Sequence, residues 1–366
     1  MEAICHLTSV HSPQDIRIFH KECRILLHAG YQVSLVVPYV KDEKVDGIKF
    51  LAVCQPHNRW ERMTRTLFQI YRKSLVEEAT IYHFHDPELI LIGLLLKARG
   101  KKVIYDVHED VPRQILSKAY IPKSLRHITA WIVEMIENFA VKHFDGVVTA
   151  TPFIRDRFLK LGCHAVDVNN YPILSELNLS NVDFSQKERA VCYVGGISDI
   201  RGIFEMIEAI GKTDAKLLLA GKFANRDQRN QALAMPGWTN VQELGQLNRD
   251  EVAQTLARSL AGLVVLHPII NYIDALPVKM FEYMAAGIPV IASNFPLWRD
   301  IVEGNQCGIC VDSLAPKAIA EAIEWIVDHP KEAKSMGENG RKAVEEKYNW
   351  ETEAKKLCSL YSELLL

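Results

Sequence analysis

The sequence predicts an α/β protein in which one architecture, a parallel sheet with helices between its strands, occurs twice. Over the first 170 residues, apolar runs of strand length alternate with stretches of helical period. The alternation lapses between Asn170 and Arg189, where Asn, Ser, Leu and Asp follow without a clear period, and it restarts at Ala190. Strands separated by helices pair in parallel through right-handed crossovers, and 366 residues suffice for two domains. We therefore expect domains over residues 1–170 and 190–349, joined by a linker over residues 171–189.

The first predicted domain contains six strands and three clear helices. Its first helix places Ile16, Phe19, Cys23 and Leu26 on one face and ends at Gly30. The predicted strands are Ile4–Val10, Gln32–Val37, Ile81–Phe84, Lys102–Asp106, Asp145–Thr149 and Ala165–Val168, and the predicted helices are Asp15–Leu27, Pro87–Ala98 and Pro152–Leu161.

The second predicted domain repeats the pattern and continues into three long helical stretches. Its strands are predicted at Ala190–Val194, Ala215–Ala220, Val241–Leu244, Gly262–Leu266 and Pro289–Ser293. Its helices are predicted at Phe204–Gly211, Arg226–Ala234, Arg249–Arg258, from Pro277 to a break at Gly287, and at Pro316–Val327, Pro330–Lys347 and Trp350–Leu364.

Composition excludes several classes of protein. A net charge of −2 gives no overall attraction to nucleic acid, and 48% apolar with 24% charged residues is ordinary for a globular protein. The longest apolar run, Leu89–Leu96, is too short to span a bilayer, and Met1–Val10 lacks the pattern of a secretion signal. Eight scattered cysteines fit a reduced, cytoplasmic protein. Cys307 and Cys310 have no second pair with which to form a zinc site.

A helix start after the strand Gly262–Leu266 is the first candidate for a binding site. Pro277 suits the first helical position, which leaves the N–H groups of Val278, Lys279 and Met280 without partners inside the helix. The two residues before Pro277 carry no oxygen that could cap them, and Lys279 adds a cation at the positive end of the helix dipole. A phosphate would satisfy this arrangement, and so would water.

The sequence around this helix resembles the nucleotide-sugar signature of the family 4 retaining glycosyltransferases. Asp274, seven further residues and Glu282 are followed by a turn at Gly287 and the strand Pro289–Ser293. In that family the first acid is normally Glu, so Asp274 is shorter by one methylene. The resemblance is specific over 190–311 and weaker across the first domain.

The resemblance implies the GT-B architecture, in which two Rossmann-like domains with parallel sheets face a central cleft. The acceptor-side domain would be the first, with the helix over residues 350–366 crossing back onto it.

The resemblance also implies roles for individual residues. Pro277, Val278 and Lys279 would lie at the donor diphosphate, and Lys279 would neutralise the leaving group. Glu282 would bind the ribose, and Asp274 would hold hydroxyls of the donor sugar.

A second glycine-containing turn is expected to belong to the same site. Gly195 and Gly196 follow the strand Ala190–Val194, and Arg201 lies just beyond them. Alone, this pattern is typical of a tight turn, and it is not a G-x-G-x-x-G motif. By resemblance it is the family's phosphate loop, with Arg201 as its basic residue. Many family members have Arg where this chain has Gly196, so one diphosphate contact is missing from the pattern.

Histidines in the first domain allow two interpretations. His108 follows the strand Lys102–Asp106, at the end of a parallel strand where ligands bind; it could be structural, but the resemblance makes it a transition-state contact near the donor sugar. His83 and His85 have the spacing of the metal pair in amidohydrolase-type enzymes, which would indicate a metal-dependent hydrolase built on a (β/α)8 barrel. The restarted second domain disfavours one barrel, and we expect no metal ion or other cofactor.

The segment Arg59–Lys73 is basic and rich in aromatic residues. It is either a solvated helix or an interfacial patch that contacts anionic lipid.

The sequence is thus interpreted as a retaining, hexosyltransferase-type, metal-independent glycosyltransferase. The donor would be a nucleotide-diphosphate sugar, with a UDP-sugar expected first, and the acceptor a hydroxyl of a lipid-linked or surface-polysaccharide glycan in bacteria. The setting would be the inner face of the cytoplasmic membrane, with no nucleic-acid partner. An epimerase of the GT-B fold is the alternative, although epimerases lack the signature from Asp274 to Glu282. A non-catalytic sugar-nucleotide sensor is conceivable because of the departures at Asp274 and Gly196.

Overall fold

The chain folds into two compact units in a computed structural model that describes residues 2–118, 121–177 and 187–366. One unit comprises Met1–Asn170 and Glu351–Leu366, and the other comprises Tyr171–Trp350. Of the predicted linker, residues 171–177 and 187–189 belong to the second unit, and residues 178–186 lie outside the described residues.

The first unit has an eight-stranded sheet within the described residues, in the order β3-β4-β2-β1-β5-β6-β7-β8. All neighbouring strands are parallel except the pair β3 and β4. Because β1 has β2 on one side and β5 on the other, the strand order reverses there. The strands are β1 (Ala3–Leu7), β2 (Gln32–Pro38), β3 (Glu43–Val45), β4 (Ile48–Val53), β5 (Ile81–Phe84), β6 (Lys102–Val107), β7 (Gly146–Thr149) and β8 (Ala165–Asp167).

The hairpin of β3 and β4 was not predicted. Its two-residue turn consists of Asp46 and Gly47, both with positive φ (49° and 87°), which is the backbone that a tight hairpin of right-twisted strands requires. The Asp-Gly dipeptide between Val45 and Ile48 was therefore an available signal.

The helices of the first unit cover both faces of its sheet. A π-helix over Ile16–Cys23 continues into α1, and α16 begins at Trp350, so all but its first residue belongs to this unit. Helices α3, α4, α6 and α7 pack on one common face, since all four contribute to a single apolar core. The α-helices are α1 (Arg24–His28), α2 (Arg59–Glu61), α3 (Leu67–Glu77), α4 (Ile90–Lys97), α5 (Val111–Ser117), α6 (Lys123–Val141), α7 (Pro152–Lys160) and α16 (Trp350–Leu365).

The second unit has a parallel sheet in the order β11-β10-β9-β12-β13-β14. Numbered from its own first strand, this is the order 3-2-1-4-5-6 of the Rossmann fold, whose ligands bind at the carboxyl ends of the strands where the order reverses. That point lies between β9 and β12. The strands are β9 (Ala190–Val194), β10 (Lys216–Ala220), β11 (Val241–Gly245), β12 (Ala261–Val264), β13 (Val290–Ser293) and β14 (Gly308–Val311).

Two apolar clusters, one on each face of this sheet, form the core of the second unit. One cluster holds α12, α13 and α15 against the sheet, and the other holds α8 and α14. The helices are α8 (Ile203–Ile210), α9 (Arg226–Leu233), α10 (Arg249–Arg258), α11 (Ile270–Ile273), α12 (Val278–Ala285), α13 (Pro296–Val302), α14 (Pro316–Asp328) and α15 (Pro330–Glu346).

Helices α5 and α6 were absent from the prediction. In α6 the apolar residues occupy most of the helix surface, so they do not mark a single buried face. Among the described residues, no helix combines the length and the apolar character that a membrane span requires.

Candidate active site

Helix α12 is positioned by close packing against β12. A Cβ on Gly262 would overlap the ring of Tyr283, so this glycine lets the helix lie directly on the strand. The Tyr283 hydroxyl accepts a hydrogen bond of 3.0 Å from the backbone N–H of Val194, at the end of β9. The start of α12 is therefore held at the point where the strand order reverses.

The structure corrects the prediction at this helix start. Pro277 is the N-cap residue with extended backbone (φ −69°, ψ 123°) and not the first helical residue. The sequence predicts a free N–H at Met280, but this group donates to the Pro277 carbonyl at 3.0 Å. Within the described part of the chain, no side chain caps the helix and the N–H groups of Val278 and Lys279 keep no hydrogen-bond partner.

Lys279 lies over the turn that follows β9. Its Nζ is 3.6 Å from the centre of the Tyr193 ring, and a Cβ on Gly195 would come within 3.0 Å of it. The nitrogen is shielded from solvent and has no hydrogen-bond partner among the described residues. Burial and the nearby charge of Arg201 lower the pKa of Lys279 well below its ordinary value. Burying the charged form of an amine without a hydrogen-bond acceptor is costly, and a bound anion would reduce that cost.

The turn itself is shaped for close approach to its backbone. Gly195 has a φ of +132°, which residues with a side chain rarely adopt. The Arg201 guanidinium donates to the Gly196 carbonyl at 3.1 Å, and a Cβ on Gly196 would come within 2.5 Å of the guanidinium. Arg201 thus occupies the space beside Gly196, the position where many family members carry Arg.

Glu282 lies one turn further along α12 and is buried. Its Oε1 accepts a hydrogen bond of 2.7 Å from the Nη1 of Arg249, the first residue of α10. This ion pair fixes the position of the carboxylate that the resemblance assigns to the ribose.

Asp274 follows α11 and lies in a loop that is anchored on both sides. Tyr272 and Leu276 pack against the core of the second unit, and the Ala275 carbonyl accepts a hydrogen bond of 2.7 Å from Trp298 Nε1. The Asp274 carboxylate is half-buried and makes no hydrogen bond to any residue that the structure describes. It is therefore free to bind a ligand, in a loop whose backbone is held.

His108 belongs to the first unit, where it joins a charged cluster. Its Nε2 is 2.9 Å from Asp106 Oδ2, and its ring centre is 4.9 Å from that of His11. Arg17 holds Asp106 through two hydrogen bonds, of 3.0 and 2.8 Å. Burial alone would raise the pKa of Asp106, but the Arg17 charge and His108 hold it well below the usual range.

Three more histidine side chains lie deeper on the same face of this sheet. The Nδ1 of His6 is 2.9 Å from the Nε2 of His85, and the Nδ1 of His83 is 2.7 Å from the hydroxyl of Tyr361 on α16. Burial lowers the pKa of His6 and His83 and raises the pKa of neighbouring Glu22, so each of these groups favours its uncharged form.

Some of these side chains could hold a metal ion. The donor atoms of His6, Glu22, His83 and His85 lie within 4.8 Å of one another, as do those of His85, Asp106 and His108. The hydrolase interpretation of His83 and His85 was nevertheless wrong about the fold, since the described residues form two open, mainly parallel sheets instead of one (β/α)8 barrel.

Several residues of these clusters were missed by sequence reasoning. In the second unit they are Tyr193, which adjoins the glycine turn, and Arg249, which lies 33 positions from its partner Glu282. The position of Tyr193 beside the turn was a usable signal, whereas nothing in the local sequence of Arg249 points to its partner. In the first unit the missed residues are His6, His11, Arg17, Glu22 and Asp106.

The two units and their sites define the class of the protein. Structures that share this architecture include sucrose-phosphate synthase from Thermosynechococcus elongatus, with a TM-score of 0.76 at 18% identity over 100% of this chain and 99% of that one. Anabaena HepE in complex with UDP-glucose gives a TM-score of 0.75 at 13% identity, over 99% and 100% of the two chains. The fold is that of the GT-B glycosyltransferases, as predicted.

Two family models match the sequence of this chain. Glycosyltransferase Family 4 matches residues 17–169, and Glycosyl transferases group 1 matches residues 176–343. D-rhamnosyltransferase WbpZ of Pseudomonas aeruginosa is 23% identical over 277 residues, which are 75% of this chain and 71% of that protein. The chain belongs to the family 4 glycosyltransferases, and it is a glycosyltransferase enzyme.

Proposed function

We propose that this enzyme transfers a sugar from a nucleotide-diphosphate sugar to a hydroxyl acceptor with retention of anomeric configuration. The observation that carries the proposal is the buried, unpartnered Lys279 nitrogen beside Gly195, at an uncapped helix start. A diphosphate would supply the missing anion to Lys279 and acceptors to the free N–H groups of α12. A structural neighbour, HepE, was solved with UDP-glucose, which supports a UDP-sugar as the first donor to test.

Each of the site residues in the second unit then has a role in the reaction. Lys279, Arg201 and the N–H groups of α12 stabilise the negative charge that grows on the diphosphate as the bond to the sugar breaks. Glu282 accepts hydrogen bonds from the ribose diol, and Asp274 accepts them from the donor sugar. The acceptor oxygen bonds to the anomeric carbon on the face that the diphosphate leaves. Its proton passes to the departing phosphate oxygen, so the step requires no protein base. His108 is proposed as a contact of the transition state.

The proposed acceptor is a lipid-linked or surface-polysaccharide glycan, with the enzyme at the inner face of the cytoplasmic membrane. Exposed aromatic residues in the first unit support this setting. In the segment Arg59–Lys73, Trp60 is 83% exposed and Phe68 is 60% exposed. Four arginines in the segment add positive charge, although Arg62 and Arg65 are paired with Glu88 and Glu61.

A screen of donor binding tests this function. We expect UDP-sugars, within a panel of UDP-, GDP- and ADP-sugars, to raise the melting temperature of the protein. Proton NMR of the product formed with the binding donor should show the anomeric configuration of that donor. Formation of the 2-epimer without an acceptor would instead establish an epimerase, and binding without turnover would establish a sensor.

We also expect turnover to be independent of divalent metal. The second unit offers cations and helix N–H groups to the diphosphate in the place that a metal ion would take, and the sequence has no Asp-x-Asp motif. Activity of the purified enzyme should therefore survive dialysis against EDTA. Complete loss that is restored by manganese or zinc would contradict the prediction, and elemental analysis together with His83→Ala would then locate the ion.

A further inference from the structure

Helix α6 carries an apolar stripe on its outer face that the core of the first unit does not cover. Its members recur at intervals of three and four residues, so they align along the helix. The exposed fractions of these side chains run from 41% to 62%. The stripe consists of Leu125, Ile128, Trp131, Ile132, Met135, Ile136 and Phe139.

The opposite face of α6 already anchors the helix. Ala130, Ala140 and Val141 are buried, and Glu137 accepts a hydrogen bond of 3.0 Å from the Tyr105 hydroxyl. Glu137 is also paired with Arg157 of α7. The stripe therefore does not serve to attach the helix, and a monomeric protein rarely exposes so much continuous apolar surface without an interaction partner.

The neighbouring helix extends the apolar surface. Helix α4 packs on the same face of the sheet, and its Leu91 and Leu95 are 65% and 38% exposed. On the other side of α6, α7 exposes part of Phe153, whose ring centre lies 4.4 Å from the guanidinium carbon of Arg113. Apolar side chains thus project from three helices of one layer, which suits an extended partner better than a narrow segment of chain.

The charges at the two ends of the stripe are basic, and Glu134 lies beside its middle. Lys123 and His127 are exposed in the first turns of α6, and Lys142 and His143 are exposed at its end. Within α6, Glu137 is turned inward, and Glu134 is the other acidic residue. A helix with aromatic and aliphatic residues on one face and basic residues at its margins has the composition of a helix that lies in the interface of an anionic membrane.

We propose that α6 docks the first unit on an anionic lipid bilayer, with its stripe in the headgroup region and its lysines on the lipid phosphates. A second copy of the chain fits the stripe less well, because a twofold pairing of α6, parallel or antiparallel, sets Lys123 and Lys142 against lysines of the second copy. The inference rests on the proposed function for its purpose, since an enzyme acting on a lipid-linked acceptor must reach the membrane surface.

Vesicle flotation with the full-length protein tests the proposal without donor or acceptor. We expect the protein to float with vesicles of phosphatidylcholine and phosphatidylglycerol in equal parts, and less with phosphatidylcholine alone. The double substitution Trp131→Ser with Phe139→Ser should lower the partition coefficient by about 10- to 100-fold, because two aromatic side chains no longer leave water. The matched control is Leu233→Ser with Leu314→Ser, which removes two exposed apolar side chains from the second unit and should leave flotation unchanged.

Three results would overturn the proposal. One is unchanged flotation of the α6 variant when its circular dichroism matches that of the wild type. Another is loss of flotation only in Trp60→Ser with Phe68→Ser, which would place the contact at Arg59–Lys73. The last is a wild-type dimer in sedimentation velocity that the α6 variant dissociates, which would show that a second copy covers the stripe. The α6 variant should keep the thermal shift with donor, and Lys279→Met should keep flotation, so failure at the donor site and at the membrane surface can be told apart.

Discussion

Replacing Lys279 by Met is expected to weaken binding of the donor by about 10- to 150-fold, because a charge-assisted bond to phosphate contributes roughly 1.5–3 kcal/mol. Arg201→Ala should have an effect in the same range. Isothermal titration calorimetry with a UDP-sugar measures both. Lys317→Met, which removes an exposed lysine from α14, is the matched control and should bind as the wild type does.

The same lysine should make donor binding dependent on pH. In the free protein, burial and Arg201 lower the pKa of Lys279, and a bound diphosphate would raise it again. Between the lowered pKa of the free enzyme and the raised pKa of the complex, binding should therefore take up a proton, and affinity should fall as the pH rises across this range. Calorimetry in two buffers of different ionisation enthalpy detects this uptake, since a nucleotide sugar has no group of its own that titrates near neutral pH. Lys279→Met should abolish it.

Stability provides the control for folding in this experiment. Methionine has nearly the length of lysine but no amine to bury, so the ligand-free Lys279→Met protein should melt at the wild-type temperature or above it. Wild-type affinity in both Lys279→Met and Arg201→Ala would show that the donor phosphates bind elsewhere.

Removal of the Asp274 carboxylate is expected to have the largest effect on turnover. Asp274→Ala should lower kcat/KM by about 30- to 1000-fold, since a charged hydrogen bond to the sugar in the transition state contributes about 2–4 kcal/mol. Affinity for the free nucleotide should barely change, because the carboxylate is proposed to contact only the sugar. Steady-state kinetics and calorimetry with the nucleoside diphosphate separate the two effects.

The variant Asp274→Glu restores the usual residue of the family and distinguishes two explanations of the shorter side chain. The loop is anchored by the bond from Trp298 to Ala275, so if its backbone compensates for the lost methylene, glutamate will overreach and slow the enzyme. If the backbone does not compensate, Asp274→Ala will leave the rate nearly unchanged and Asp274→Glu will raise it. A silent Asp274→Ala together with no gain from Asp274→Glu would mean that another residue holds the sugar.

Most of the secondary structure could be predicted because it depends on local periodicity. The strands Ile81–Phe84 and Ala190–Val194 and the helix Arg249–Arg258 have the predicted bounds. The hairpin β3–β4 was missed because Glu43–Val45 is short and polar, and α6 was missed because its exposed stripe obscures its buried face. In such elements the hydrophobic pattern of the sequence does not show which side chains are buried. Secondary structure can be predicted from hydrophobic periodicity only where it does.

The donor site was predicted in part by local sequence and in part by resemblance. The glycine turn and the start of α12 each stand at a strand end, and each is recognisable from a few adjacent residues. Their roles as ligands of a donor sugar remain predictions. The start of α12 was misplaced by one residue, because a proline can occupy either the N-cap or the first helical position and the tertiary packing selects between them.

Short-range order along the chain is enough to predict the α/β class, most of the strands and helices, and the Gly195–Gly196 turn at a strand end, whereas the roles of Asp274 and Glu282 came from the resemblance to family 4. The tertiary structure alone shows that the Lys279 nitrogen is buried without a hydrogen-bond partner over the Tyr193 ring, that Arg201 lies beside Gly196, and that Arg249 is paired with Glu282. It alone also shows which face of α6 is left exposed. Apart from Arg201 and Gly196, which are five positions apart, these contacts join residues that are tens of positions apart. Burial, unlike periodicity, is a property of the whole fold and not of a local segment.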